Sequence, residues 1–391
     1  MFIARGGKSS LQRELDSFYK DVTESDFNVR KVTKGALSTA RSHLKPEAFV
    51  EMNDNVNETF YSQAPYLIWK KYRLLAVDGT RLVLPNHKTI IEEFGQHEFG
   101  PNADSKKSLA MASMMYDVLN LTTIDAQIAP YASSERDLFY KHLAKAKKGD
   151  LLLLDRGYPS IAVLFLLLAK GVDFCMRMKD DWWLSVKELI ESEEKERIVK
   201  FKLPKKDKKL LKDYPEYVDK EITCRLVCIT LETGEKEVLC TSLIDSEQHP
   251  VEDFSPLYHL RWNEEEGYKL LKARAEIECF TGKTAIAVKQ DFFARIFALS
   301  YCAILAFPVE EKVRKEYDTS RQKHAQKINR TSSLSMFKSI TIPLLIKKKI
   351  KESINAFDEI VSKTREIIRP DRKVERKKKP KKLYYMNYKC L

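Results

Sequence analysis

The stretch LLLLDRGYPSIAVLFLLLAKGVDFCMRMK, residues 151 to 179, reads as strand, helix, strand. Leu151 to Leu154 is a short apolar run closed by Asp155-Arg156-Gly157-Tyr158, as a strand buried on both faces would be. Pro159 opens an apolar helix to Lys170, Gly171 ends it, and Asp173 to Lys179 is the next strand. A helix carries the chain back across the sheet, so the two strands it joins pair in parallel.

Upstream, Tyr72 to Asp78 (YRLLAVD) is another apolar run ending in an acid, with GT directly after it and Leu82 to Leu84 as further extended chain. Ser108 to Tyr116 and Thr122 to Ala129 are two more strands separated by DVLNL, a meander. Ser133 or Ser134 caps a helix through about Lys147, and Gly149 ends it. The order is therefore three strands, helix, strand, helix, strand, which predicts a mixed sheet with helices on its faces. Residues 180 to 246 interrupt it with lysine-rich PKKDKKLLKD and the β-like runs Glu221 to Leu231 and Glu237 to Leu243, a β-rich insertion. Helices return over roughly 256 to 275 and from about Thr284 to Phe307.

At the N-terminus, Leu11, Leu15 and Phe18, then Val32, Leu37, Ala40, Leu44 and Phe49, recur at helical spacing. Thr33 can cap a helix from Lys34 to His43, and Pro46 opens the next. Arg30, Lys31, Lys34, Arg41 and Lys45 suit either a small DNA-binding unit or a solvated charged face. Near the other end an amphipathic helix, Ile350 to Ile368, precedes the basic run DRKVERKKKPKK. The expected division is a helical DNA-binding domain over 1–68, a catalytic core over 69–310 containing the insertion, and a C-terminal helical region with a basic tail over 311–391.

Across 391 residues, 69 Lys and Arg stand against 56 Asp and Glu, a formal net charge of +13. That surplus points to a polyanionic partner, nucleic acid before an anionic membrane surface. The longest apolar runs, Ile161 to Ala169 and Ile296 to Phe307, fall short of the roughly 20 residues a span requires. MFIARGGKSS lacks the features of a secretory signal, so no membrane role and an intracellular location are expected. Seven cysteines with no CxxC pair argue against a disulfide framework or a zinc site.

Asp78 and Asp155 each close an apolar strand, where a carboxylate is costly unless a cation or a basic side chain meets it. Strand-end aspartates also cap turns, so neither acid decides anything alone. On one continuous helix, at about 100° per residue, Tyr258, Arg261, Glu265, Lys269 and Lys272 fall in one stripe about 80° wide. Leu257, Leu260 and Leu271 face elsewhere, and Glu264 and Glu266 point off the stripe, leaving Glu265 as the acid placed for a site. Ordinary i, i+4 ion pairs explain that spacing but give no reason for two acids at strand ends. TGKT at residues 281 to 284 echoes a phosphate loop, but Ile277 stands where the first glycine belongs.

Tyr258-x2-Arg261-x3-Glu265-x6-Lys272, within YHLRWNEEEGYKLLK, resembles the Y-R-E-K signature of the insertion-sequence-four family of DDE transposases. DGT at Asp78 and DRGY at Asp155 resemble that family's first and second acidic motifs. The resemblance covers residues 72 to 307, and the helical N-terminal part more loosely. It implies an α/β fold, a ribonuclease H-like mixed sheet flanked by helices, with a β-rich insertion and a helical N-terminal domain. It also implies that Asp78, Asp155 and Glu265 are catalytic metal ligands for Mg²⁺ or Mn²⁺, two ions being expected, and that Tyr258, Arg261, Lys269, Lys272 and Arg177 contact DNA. The partners implied are inverted-repeat transposon ends and target DNA, bound by a dimer in the cytoplasm of a bacterial cell at the nucleoid.

One departure concerns a hairpin step. Relatives that use one carry a tryptophan late in the insertion, where this chain has KEVLCTS, residues 236 to 242; Trp182 and Trp183 lie at the insertion's start. Two other readings stand beside cleavage and strand transfer: a domesticated transposase-derived DNA-binding protein without cleavage activity, and a two-metal nuclease of the same fold. Intact Asp78, Asp155 and Glu265 weigh against the first, and the Tyr, Arg and Lys stripe against the second.

Overall fold

The computed structural model describes residues 2–5, 10–99, 105–231, 234–319 and 324–368. The N-terminal helices are α1 (Phe2–Arg5), α2 (Leu11–Thr23), α3 (Lys34–Ser42) and α4 (Glu47–Gln63). Ser10 and Thr33 cap α2 and α3 by accepting from the amides of Arg13 and Ala36. Then follow β1 (Arg73–Val83), α5 (Lys88–Phe94), β2 (Gln96–Phe99), β3 (Ser105–Asp117), β4 (Thr123–Pro130), α6 (Glu135–His142), β5 (Asp150–Leu154), α7 (Ile161–Ala169) and β6 (Asp173–Arg177).

These strands join one sheet in the order β4-β3-β1-β5-β6, with β3 antiparallel to β1 and β4, and β1, β5 and β6 parallel. Setting aside the short β2, which pairs with one end of β3, the sequence ranks across the sheet run third, second, first, fourth, fifth. That is the mixed sheet expected from the strand and helix order, and the ribonuclease H-like arrangement that the family resemblance implies. Parallel β5 is apolar on both faces: Leu152 and Leu154 meet α6 and α7, while Leu151 and Leu153 face the opposite side.

The insertion is not a separate β unit. After α8 (Leu184–Glu191) come β7 (Glu196–Lys202), β8 (Glu221–Thr230) and β9 (Lys236–Thr241), and β9 pairs antiparallel with β6, so the same sheet continues as β6-β9-β8-β7. Lysine-rich residues 205–211 form a 3₁₀ helix. Trp183 packs against Phe201 with ring centroids 4.7 Å apart, whereas Trp182 stays exposed beside Lys179.

The helix expected over 256 to 275 is broken into α9 (Phe254–His259), α10 (Trp262–Lys269) and a π-helical turn, Leu270–Arg274. Beyond it α11 (Ala285–Thr319) runs 12 residues past the expected end at Phe307, through residue 310. By length and composition α11 could cross a membrane, contrary to the expectation that no segment could, but here it is a core helix packed on α1, α4 and β4. After β10 (Gln326–Ile328) and α12 (Arg330–Leu345), α13 (Ile350–Lys363) stops short of Ile368 because Arg365–Ile367 forms β11 against β10. The basic run after residue 368, and Cys390 with it, lies outside the described residues.

A buried charge cluster fastens the N-terminal helices to α11. Arg41 donates to Asp291 at 2.8 Å, Gln290 at 2.6 Å, the carbonyl of Ala287 at 2.9 Å and the hydroxyl of Thr281. Asp291 is fully buried, and Arg41 is the cation it is paired with, alongside hydrogen bonds from Thr281. Arg41→Ala is expected to cost about 3 to 5 kcal/mol of unfolding free energy, the penalty of stranding a buried charge. Urea denaturation of the two proteins measures it.

Candidate active site

The ladder between β1 and β5 ends at Val77 opposite Leu154. Asp78 and Asp155 are the next residue on each strand, so the register sets them side by side, about one strand spacing of 4.8 Å apart at the backbone. Alternation sends both toward the sheet face that Ala76 and Leu153 share with Leu257 and Tyr258 of α9. Asp78 Oδ1 accepts from its neighbour's amide, Gly79 N, at 2.8 Å, and Asp155 Oδ1 from Gly157 N at 2.8 Å. Gly79 has little room for a side chain, because a Cβ there would stand 2.9 Å from Cγ of Glu135.

Burial pushes the Asp78 carboxyl up to about 6, with Asp155 and Glu135 adding to the rise and Gly79 N–H and Arg261 opposing it. Glu135, the first residue of α6, is raised by burial and then by Asp155, against the pull of Arg81. Nothing in the sequence motifs marked Glu135; a serine-capped helix start is its only signal.

The third acid does not arrive as the uniform helical wheel predicts. Between α9 and α10 the amides of Leu260, Arg261, Asn263 and Glu264 bond three residues back, a tighter winding, and the π turn then winds looser. Glu265 turns to Arg261, whose Nη2 donates to it at 3.1 Å, and remains part-exposed. Glu264, read from sequence as off the site, is fully buried, and its carboxylate is met by the backbone amide of Asp78. Burial drives Glu264 well above the carboxylate range, followed by the charge of Asp78 and, more weakly, Asp155. Tyr158 of the DRGY motif is likewise buried, its hydroxyl unpartnered and its ionisation pushed far up by burial and then by Asp78 and Glu264.

The basic stripe also divides. Tyr258 is buried, its hydroxyl donating to the carbonyl of Leu154 at 3.3 Å, and Arg261 is nearly buried, lying over the rings of Tyr258 and Trp262. Lys272 donates to the carbonyl of Arg81 at 2.8 Å, and burial lowers its affinity for a proton. Lys269 is exposed and pairs with Glu266, away from the aspartates. Arg177 at the end of β6 pairs with Glu237 of β9 at 2.8 Å. The structure thus gathers Asp78, Asp155, Arg261 and Tyr258, adds Glu135, Glu264 and Tyr158, holds Glu265 at the edge through Arg261, and leaves Lys269 apart.

Among the described residues no three Asp, Glu, His or Cys side chains stand close enough to hold one ion together. The donor chemistry nevertheless fits a hard divalent cation. The acids offer hard oxygen donors, and Asp78 and Glu264 are buried together beside Arg261, each held above its ordinary range.

Because folding raises the Asp78 pKa, the folded protein binds more protons than the unfolded chain between about pH 4 and 6, so stability is lost as pH rises through that window. In chelator, Asp78→Asn is expected to match the parent near pH 4 and to exceed it by about 1 to 3 kcal/mol at pH 7. Denaturation curves at the two pH values test the sign.

A family model described as a transposase DDE domain matches residues 69–301. The chain is 25% identical over 273 residues to the transposase InsG for insertion sequence element IS4 of Escherichia coli (strain K12), a match spanning 68% of this chain and 60% of that protein's length. A piggyBac transposase in a synaptic complex with hairpin DNA is similar at 11% identity and a TM-score of 0.41, covering 74% of this chain and 57% of that one. With the family model spanning more than half of its length and both strand-end aspartates inside the match, this chain belongs to the transposase DDE domain family.

Proposed function

We propose that the protein is a transposase that binds the ends of an insertion sequence and carries out metal-dependent DNA cleavage and strand transfer. The observation that carries this reading is the pair Asp78 and Asp155, set side by side past the last β1–β5 ladder pair, within the matched family domain. Asp78, Asp155 and Glu265 would hold Mg²⁺ or Mn²⁺, two ions in all, with Glu264 the buried oxygen donor next in reach. Bound there, such ions supply Lewis-acid activation of an attacking oxygen and neutralise charge on the phosphate.

The chain's own residues do the rest. Arg261, between Asp78 and Glu265, offers a planar guanidinium fork suited to a phosphate, and Tyr258 props that guanidinium from below. Arg177, Lys269 and Lys272 extend the positive surface along which a DNA strand would run. Two protomers on paired transposon ends, meeting target DNA in a bacterial cytoplasm, complete the proposal.

Asp155→Asn and Glu265→Gln should each abolish strand cleavage in Mg²⁺ while gel shifts still show DNA binding. Cleavage that survives Glu265→Gln but is lost in Glu264→Gln would move the third ligand one residue back along α10. Loss of none of the three would refute the reading.

Salt dependence separates the basic residues. Lys269→Ala is expected to lower the log–log salt slope of DNA binding by about one unit, as for one phosphate contact. An unchanged slope would confine Lys269 to its ion pair with Glu266.

A further inference from the structure

Behind Asp78 lies a buried relay outside the Y-R-E-K and aspartate motifs. Asp125 of β4, His142 of α6 and Ser113 of β3 are all buried. His142 Nδ1 lies 2.6 Å from Asp125 Oδ2, and His142 Nε2 lies 2.9 Å from Ser113 Oγ. Ser113 Oγ in turn donates to the backbone carbonyl of Asp78 at 3.0 Å, and Gln127 Nε2 steadies Asp125 at 2.8 Å. The order of groups is that of a nucleophilic triad, but a hydroxyl with no solvent access, already committed to a main-chain carbonyl, cannot reach a substrate.

The same carbonyl is gripped from the other face. Met114 stands opposite Asp78 in the antiparallel β1–β3 pair, yet its amide donates to Tyr268 Oη at 3.0 Å. Tyr268 Oη then donates to the Asp78 carbonyl at 2.7 Å. A hydroxyl from α10 is thus inserted into the ladder at the residue bearing the first acid. Ser113 reaches that carbonyl from the side of α6, and Tyr268 from the side of α10, the helix that also bears Glu264 and Glu265.

We propose that Ser113 and His142, oriented by Asp125 and acting with Tyr268, are positioning residues that fix the Asp78 peptide and thereby aim its carboxylate at the metal. The arrangement resembles the outer partners of metal sites, which orient ligands without touching the ion. Here the orientation acts through the backbone. A core hydroxyl needing only one partner could have been satisfied by any nearby carbonyl. This relay instead spends a buried acid and a buried imidazole on the one peptide whose side chain has metal-binding chemistry.

The inference rests on Asp78 being a ligand, so the test measures both. Mn²⁺ binding to the full chain is followed by electron paramagnetic resonance, with thermal unfolding of each protein in chelator as the control for folding. Asp78→Asn should lose most of the binding. Ser113→Ala and His142→Gln should remain folded and bind Mn²⁺ about 10-fold more weakly, the lower end of what loss of an outer partner costs. Ser113→Thr should recover more affinity than Ser113→Val, which has the same shape and no hydroxyl. Wild-type affinity in folded Ser113→Ala, with Asp78→Asn defective, would overturn the relay alone. Wild-type affinity in Asp78→Asn would overturn the ligand assignment and the relay with it.

Discussion

The site depends on the parallel pairing of β1 with β5. Its register brings two strand ends level, and because each strand continues into an aspartate, two like charges are forced together at the edge of a dry core. Like charges at that spacing repel strongly where water is excluded, which is why burial and Asp155 together hold Asp78 above its usual range. The surroundings answer that repulsion in two ways. Backbone amides of Gly79 and Gly157 neutralise part of it locally, and Arg261 brings a guanidinium that Asp78 feels.

The helical segment over residues 254 to 274 is built to serve this pair. A uniform α-helix would put Tyr258, Arg261, Glu265, Lys269 and Lys272 on one exposed stripe. A tight join and a loose π turn change the phase twice, so Tyr258 and Tyr268 enter the core, Arg261 bends over the aspartates, and Lys272 reaches back to β1. Gly267 makes the approach possible, since a Cβ there would lie 3.2 Å from the ring of Tyr116 on β3. Irregular helical winding beside a functional centre is a common place for such strain.

Much of this was legible in the sequence because its signals are local. Apolar runs ending in Asp78 and Asp155, the glycine after α7 and the serine caps gave the strand and helix order, and that order admits few sheet topologies. What was not legible depends on phase and on distant partners. The wheel at 100° per residue could not register the winding changes, so it excluded Glu264 and exposed Tyr258. Glu135 and His142 on α6 and Ser113 on β3 have no motif to join them, and only the sheet register brings Ser113 level with Gly79. The helix expected to end near Phe307 was cut short because its second half is charged, whereas tertiary contacts with the C-terminal helices carry it to Thr319.

A chain with a net charge of +13 has gathered Asp78, Glu264 and Glu265 around Arg261, with Asp155 and Glu135 beside Asp78. Such a pocket opposes a phosphate on its own, because carboxylates and phosphates repel. The surplus of lysine and arginine draws DNA to the protein as a whole, but that attraction is long-ranged and indifferent to position. Placement of a phosphate among these acids requires positive charge supplied at that point. Under the proposed reaction, the acidity of the site and the basicity of the chain are therefore complementary: the surface collects the polyanion, and the carboxylates confine reaction to the place where a divalent ion can offset them.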